Sequence, residues 1–298
     1  MVFVGGLMAD TIAAVPKYPV ADERVLAESV VQSGGGPAST AAVAAARLGL
    51  SDVAFVGTVG QDATGDRLLD ELITEGIDVS GVSRLPEACT GASVIVVDVA
   101  AGSRAICALP GPTVRLNTVA AEQISSARWV HVDHLGWTAT AQALSGLQAG
   151  WKPRVSVDIS YPLPGFTPAG VDLYVPNVEA LAARYPGSGD NVDAMLDRAL
   201  ADGARQVVVT RGSRGSASAT TNGDRCEVPA HHAQILSTLG AGDVFHGALL
   251  AALDRGDDLP AAMRYAGVVA ALSCRGLDGR STIPNHQETL AVLAAAVA

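Results

Sequence analysis

Four consecutive residues, Gly240-Ala241-Gly242-Asp243, are where residue types and spacing in this chain could do chemistry. Two glycines close a tight turn with little side-chain bulk. An apolar run at helical spacing follows: Val244, Phe245, Ala248, Leu249 and Ala252. A glycine turn opening onto a helix N-terminus gathers free backbone N–H groups and the positive end of the helix dipole, which suits a phosphate. Asp243 then has two readings. A carboxylate in the first turn stabilises a helix end as an ordinary cap. Beside a bound phosphate, the same carboxylate is a general base.

A second stretch of this kind runs from Ser33 to Gly49. Gly34-Gly35-Gly36-Pro37 cannot lie inside a helix, whereas Thr40 to Leu48 is alanine-rich and helical. Glycines ahead of a helix let the backbone approach a ligand closely; the plainer alternative is a tight turn with close helix packing. In this order, and about 200 residues apart, the two stretches resemble the two signatures of the ribokinase-type (phosphofructokinase-B-type) carbohydrate kinases.

That resemblance implies an α/β fold, a central, mostly parallel sheet flanked by helices with a small β-sheet lid. It implies ATP-dependent transfer of a phosphoryl group to a primary hydroxyl of a small sugar. Asp243 would be the base, and the N–H groups of Gly240, Ala241 and Gly242 would stabilise the transferring group. Asp10, just past the first apolar run Val2 to Val4, corresponds to an aspartate that binds sugar hydroxyls. Gly35, Gly36 and Thr40 fall in the sugar-binding signature, and Thr40 stands where the family usually has an asparagine. ATP would meet Asn177, Thr210, Gly212, Gly215, Thr238 and Gly279. Asn177-Val178-Glu179 differs from the family's Asn-x-x-Glu, its glutamate being one position early. Magnesium would bridge the phosphates mainly through water, with no direct protein ligand. Many relatives hold potassium with an aspartate where this chain has Ser237, so little dependence on potassium is expected.

The elements that must position these groups can be read along the chain. Val2 to Val4, Val53 to Val56, Trp129 to Asp133, Arg154 to Ile159, Asp172 to Val175 and Gln206 to Thr210 read as strands. Thr11 to Val15, Arg24 to Val31, Ala92 to Val99 and Arg104 to Ala108 read as strands of a separate small sheet. The chain is expected to be one kinase domain over 1–298, with a discontinuous lid from about 11–33 and 90–110. In the family such a lid often forms the dimer contact, so a homodimer is expected. Gly57, Gly60, Asp62 and Gly65 precede a helix at Asp66 to Thr74, and the resemblance implies that this run is mostly structural. Helices are also expected at Leu259 to Cys274 and Glu288 to Val297, with a loop at Gly276 to Ile283 between them. His131, Asp133 and His134 invite a metal reading, but the third faces away from the first two on a strand, which favours a core histidine. Asp158 is a candidate pocket residue.

Composition excludes several classes. Apolar residues make up 49% of 298, net charge is −10, and the only lysines are Lys17 and Lys152. No basic footprint for nucleic acid is present. No run of about 20 apolar residues calls for a membrane span. Met-Val-Phe-Val-Gly-Gly lacks the marks of a signal peptide. Cys89, Cys107, Cys226 and Cys274 are too scattered for a metal site or a disulfide framework, which fits free thiols in a reducing cytoplasm. A nicotinamide reductase lacks its fingerprint glycines, and a binding-only protein would not need a base after the glycine turn.

For the sugar, the signatures look closest to the sulfofructose kinase branch, which holds its sulfonate with a lysine, an asparagine and an arginine. Those positions are Arg24, Ala108 and Leu135 here. One cation survives, which favours an unsubstituted ketose or pentose, with a sulfonated or phosphorylated sugar as the alternative.

Overall fold

The computed structural model describes residues 1–147, 152–161 and 163–295. In chain order the elements are β1 (Val2–Val4), β2 (Met8–Val15), β3 (Ser29–Gly35), α1 (Pro37–Arg47), β4 (Ala54–Val56), β5 (Thr58–Gly60), α2 (Ala63–Thr74), β6 (Ser83–Leu85), β7 (Gly91–Asp98) and β8 (Ser103–Leu109). Then come α3 (Thr118–Ser126), β9 (Trp129–Asp133), α4 (Trp137–Ser145), β10 (Arg154–Asp158), β11 (Leu173–Tyr174), α5 (Val178–Arg184), α6 (Val192–Ala201), β12 (Gln206–Thr210), β13 (Ser216–Thr220), β14 (Arg225–Val228), α7 (Ala241–Arg255), α8 (Leu259–Ser273) and α9 (His286–Ala295).

An eight-stranded sheet has the order β14-β13-β12-β11-β10-β9-β1-β4. From β4 to β12 every pairing is parallel, and β13 and β14 close one edge antiparallel. Its central strands are continuous apolar runs because helices cover both faces. The side-chain period of two divides β1: Phe3 packs with α1, α7 and α8, whereas Val2 and Val4 face α3. Helix α1 is almost wholly buried, from Ala38 to Ala45. It lies against α7 so closely that a Cβ on Gly247 would come within 2.1 Å of the Ala41 carbonyl oxygen. Among the described residues, no helix is long and apolar enough to cross a membrane.

A separate four-stranded sheet, in the order β3-β2-β7-β8, stands over the parallel sheet's C-terminal ends. Its inner face seats Ile12, Ala14, Ile95 and Val97 against Leu277. Its outer face carries the exposed Val30 and Val94. The fold is the expected one, with several boundaries moved. Arg24 to Glu28 is not strand: β3 begins only at Ser29. Pro16 and Pro19 break the segment, Asp22 takes a left-handed φ of 64°, and Glu23 folds back to accept from Val20 N and Lys17. Gly34 and Gly35 are strand, not turn; only Gly36 takes a positive φ, 104°. Helix α1 starts at Pro37, whose fixed φ suits a first helical position. Helix α2 starts at Ala63 because Asp62 caps it, accepting from Gly65 N at 2.7 Å. Helix α9 starts at His286, and the expected end at Val297 lies outside the described residues.

Candidate active site

The turn before α7 is built by one backbone feature. Gly240 sits in the left-handed region at φ 72° and ψ 0°, which a side chain would strain. A Cβ there would also lie 2.8 Å from the Gly279 Cα, so two bare backbones touch at this point. Gly242 faces open space. In the next position Asp243 has no hydrogen bond within the described protein, and no side chain caps α7. Its proton affinity is pushed well above the usual carboxylate range, chiefly by burial, then by Asp158, Asp133 and Asp10, with Arg280 opposing. An N-terminal capping carboxylate accepts from backbone N–H groups. Asp243 does not.

Asp133, at the end of β9, is the opposite case. Its Oδ2 accepts from Gly6 N (2.8 Å) and Ala38 N (3.2 Å), and its Oδ1 from Leu135 N (2.8 Å) and Gly136 N (2.9 Å). One buried carboxylate thus ties together β1, the start of α1 and the start of α4. A carboxylate with both oxygens so occupied has no lone pair to spare for a metal. His131 contacts Ser156 Oγ at 3.1 Å through Nδ1 and stacks near His246, and burial pushes its pKa well below normal. His134 packs instead on the Tyr161 ring.

On the side of the small sheet, Asp10 is inside β2 rather than in the turn after β1, paired with Ser33 and Ser93. Ser93 Oγ donates to its Oδ1. A Cβ on Gly35 would sit 2.0 Å from Asp10 Oδ2, so glycine leaves the carboxylate its room. Burial raises the Asp10 pKa; the Ser93 bond and Arg280 work against it. A Cβ on Gly36 would come within 2.3 Å of the Gly6 oxygen. Thr40 is buried, and its hydroxyl is taken by Arg280 Nε at 3.2 Å. Arg280 also donates from Nη2 to Ser39 Oγ (2.8 Å) and Gly35 O (3.2 Å). Burial lowers its pKa to about 10. Ala108 pairs with Ser93, so the fourth strand of that row offers no polar side chain.

Across the turn, Asn177 caps α5, accepting from Ala180 N at 2.7 Å, and bridges to Thr210. Gly212 and Gly215 take positive φ of 56° and 79° in the loop after β12. Gly215 has no room for a side chain, its Cβ position being 2.0 Å from Val228 O. Gly212 opens to space. Thr238 accepts from Arg104 of β8 at 2.7 Å. Ser237 is buried, its Oγ accepting from Leu239 N at 3.2 Å. Asp158 ends β10, bonded by Ser160 Oγ (2.7 Å) and 3.4 Å from His246 Nε2. Glu179 is exposed in the first turn of α5. Arg24 is exposed on the connection between β2 and β3, without a hydrogen bond to any described residue.

Asp10, Asp243, Asp158 and Arg280 therefore converge where the parallel strands end and the small sheet hangs over them. The model of the pfkB family of carbohydrate kinases matches residues 1–286. The chain belongs to that family.

Relatives extend over the whole length. A ribokinase of Schizosaccharomyces pombe is 28% identical, with 97% of this chain and 96% of that protein covered. An ATP-dependent ribose-1-phosphate kinase of Halopiger xanaduensis is 29% identical, over 95% and 94%. The crystal structure of a ribokinase from Thermotoga maritima superposes with a TM-score of 0.84 at 25% identity, covering 98% of each chain. The protein is thus a carbohydrate kinase with a ribokinase-like α/β fold, and enzymes of this family use ATP and magnesium. The oxygen donors beside the turn, Asp158 and Asp243, fit a hydrated magnesium, which takes oxygen ligands and keeps several waters. Bound with the nucleotide, that ion would neutralise phosphate charge.

Sequence reading missed Arg280 and the hub role of Asp133. Arg280 lies in a Gly-Asp-Ser-rich loop, and its partners are about 240 positions away in sequence, so no local pattern points to it. The available signal was its setting: an arginine directly after Gly279, in a loop already assigned to the site.

Proposed function

We propose that this kinase transfers the γ-phosphate of ATP to a primary hydroxyl of a small unsubstituted sugar, a pentose or ketose such as ribose or fructose. The observation that carries this reading is the Asp243 carboxylate. It sits without a hydrogen bond in the first turn of α7, at the mouth of an open glycine turn, with its proton affinity raised. A general base works best when its pKa approaches the operating pH, and an unbonded oxygen is free to take a hydroxyl proton.

Each residue then has a role. Asp10 accepts hydrogen bonds from neighbouring sugar hydroxyls, held in place by Ser93. Gly35 and Gly36 keep the floor of the sugar site free of side chains, and Thr40 lies beneath it. The N–H groups of Gly240, Ala241, Gly242 and Asp243, with the α7 dipole, stabilise the transferring phosphoryl group. Asn177, Thr210, Gly212, Gly215, Thr238 and Gly279 line the nucleotide side, where Gly212 allows the backbone close approach. Residues 1–298 act as one kinase domain. The four-stranded sheet, over about 11–33 and 90–110, is its lid and excludes water from the reaction. The exposed Val30 and Val94 on the lid's outer face support a homodimer through that face. Four cysteines without disulfides support work in a reducing cytoplasm.

An unsubstituted sugar is favoured because Ala108 flanks Ser93 on the side away from Asp10, the exposed Leu135 follows Asp133, and Arg24 stays exposed on its loop. The cation close to that row, Arg280, is already engaged with Thr40, Ser39 and Gly35 rather than free for a sulfonate or phosphate. The ribokinases among the relatives support a pentose. A phosphorylated sugar remains the second reading because one relative is a ribose-1-phosphate kinase. The test is ADP release with MgATP against ribose, deoxyribose, fructose, ribose 1-phosphate and sulfofructose. Turnover with a neutral sugar is expected. Turnover with charged sugars alone contradicts the substrate class, and no turnover with any sugar contradicts the kinase reading.

A further inference from the structure

Arg280 touches two halves of the site at once. Its guanidinium is buried, yet its hydrogen bonds go to neutral oxygens: Thr40 Oγ1, Ser39 Oγ and Gly35 O. A buried charge is costly: burial lowers its pKa to about 10, although the Glu71, Asp10, Asp243 and Glu75 carboxylates around it oppose that shift. A planar fork can hold three points in fixed relation, which a flexible amine cannot. The three points lie at the end of β3 and in the first turn of α1, on the sugar side. The residue before it, Gly279, abuts Gly240 with no side chain between them. The loop itself is stiffened by Asp278 Oδ1, which accepts from Arg280 N and Ser281 N at 2.7 Å each, and by Arg47, which donates to Arg280 O. Gly35 in turn leaves no gap at Asp10.

A continuous line of contacts therefore runs from Gly240 through Gly279, Arg280 and Gly35 to Asp10. Every link is backbone or a fixed side-chain fork, so a small movement at one end has little slack in which to be lost. We infer that Arg280 is a positioning residue that couples occupancy of the Gly240 phosphate turn to the shape of the Asp10–Thr40 sugar pocket. The inference rests on the nucleotide-binding reading of that turn. Coupling of this kind is reciprocal: nucleotide tightens the sugar pocket, and sugar tightens nucleotide binding by the same factor. Arg280 acts through Gly35, Ser39 and Thr40.

The experiment needs no knowledge of the sugar. Amide hydrogen exchange is followed in the full-length protein with and without AMP-PNP and magnesium, in wild type, R280K, R280Q and T40V. Wild type is expected to show nucleotide-dependent slowing by about fivefold or more, the low end of ordinary coupling, both at 240–243 and at 33–40. In R280K and R280Q the slowing at 240–243 remains and the slowing at 33–40 falls below about twofold. T40V, which removes one acceptor and keeps the charge in place, falls between them, and it decides the matter if the arginine variants do not fold. A residue that merely supported the fold would lower the thermal midpoint and leave the nucleotide-dependent difference at 33–40 intact. Slowing at 240–243 with none at 33–40 in wild type, or equal slowing at 33–40 in R280K and T40V, overturns the inference alone. No slowing anywhere overturns the nucleotide reading and the inference with it.

Discussion

Two aspartates stand near one another in this site, Asp133 wholly buried and Asp243 half-buried, and are treated in opposite ways. Asp133 at the end of β9 receives four backbone N–H groups from three segments. Asp243 in the first turn of α7 receives none from the described protein. Both have their proton affinity raised by burial, Asp243 by more. Asp133's carboxylate is used up in joining β1, α1 and α4, so its value is structural. That of Asp243 has no stabilising task where it sits, and a fold keeps such a group only if something else needs it. Residue type and the direction of the pKa shift do not separate the two; the count of hydrogen bonds does.

The largest effects should come from exchanging each carboxylate for its amide or for alanine. Asp243→Asn is expected to cut kcat by roughly 10²–10⁴, with nucleotide affinity and the denaturation midpoint little changed. Near-normal turnover would reduce Asp243 to an incidental surface of the turn. Asp133→Ala should do the reverse. It orphans four N–H groups and is expected to cost about 3 kcal/mol or more of stability, read by urea unfolding, while protein that remains folded keeps a measurable kcat. Loss of kcat without loss of stability in Asp133→Ala would erase the distinction.

Much of the frame could be read directly from sequence, and for reasons the structure makes plain. Val2–Val4, Trp129–Asp133 and Gln206–Thr210 are short apolar runs because helices bury both faces of the sheet. The two glycine stretches stood out because a side chain has no room at Gly35, Gly36 and Gly240. Strand β13, Ser-Ala-Ser-Ala-Thr, gives no apolar signal at all, since its small residues are buried by close packing rather than by size. The segment after Arg24 misled because its apolar residues Val25 to Ala27 lie before β3, which begins at Ser29. Asp133 reads locally as a strand end, and its four donors come from segments up to 127 positions away. Arg280 was illegible for the same reason.

A middle-sized effect sharpens the comparison from the sugar side. Asp10→Ala removes charge-assisted bonds of about 1.5–3 kcal/mol, so the sugar KM should rise roughly tenfold or more while the ATP KM moves little. Equal rises in both would put Asp10 outside the sugar pocket. The smallest effect concerns monovalent cations. Ser237 offers a neutral hydroxyl, already engaged with Leu239 N, where a carboxylate would attract a cation. Initial rates at constant ionic strength, balanced with tetramethylammonium, should change by less than about twofold with potassium, and Ser237→Asp should increase the dependence. Activation of about tenfold or more in the unmodified protein would contradict this.

The central claim is that Asp243 is a base held ready with a raised proton affinity. A carboxyl with a raised folded pKa stays protonated to higher pH than in the unfolded chain. Its favourable contribution is therefore present below the ordinary aspartate pKa and is lost as pH rises through the folded value, while the catalytic form appears over that same rise. The direct measurement is a pH titration of protein labelled with carbon-13 at the aspartate carboxyls, compared with Asp243→Asn, beside the pH profile of kcat/KM. One carboxyl should titrate well above the usual range, vanish in Asp243→Asn, and share its midpoint with the acidic limb of the wild-type profile. A carboxyl at position 243 that titrates in the ordinary range, or an acidic limb that persists unchanged when its resonance is shifted, would contradict the account.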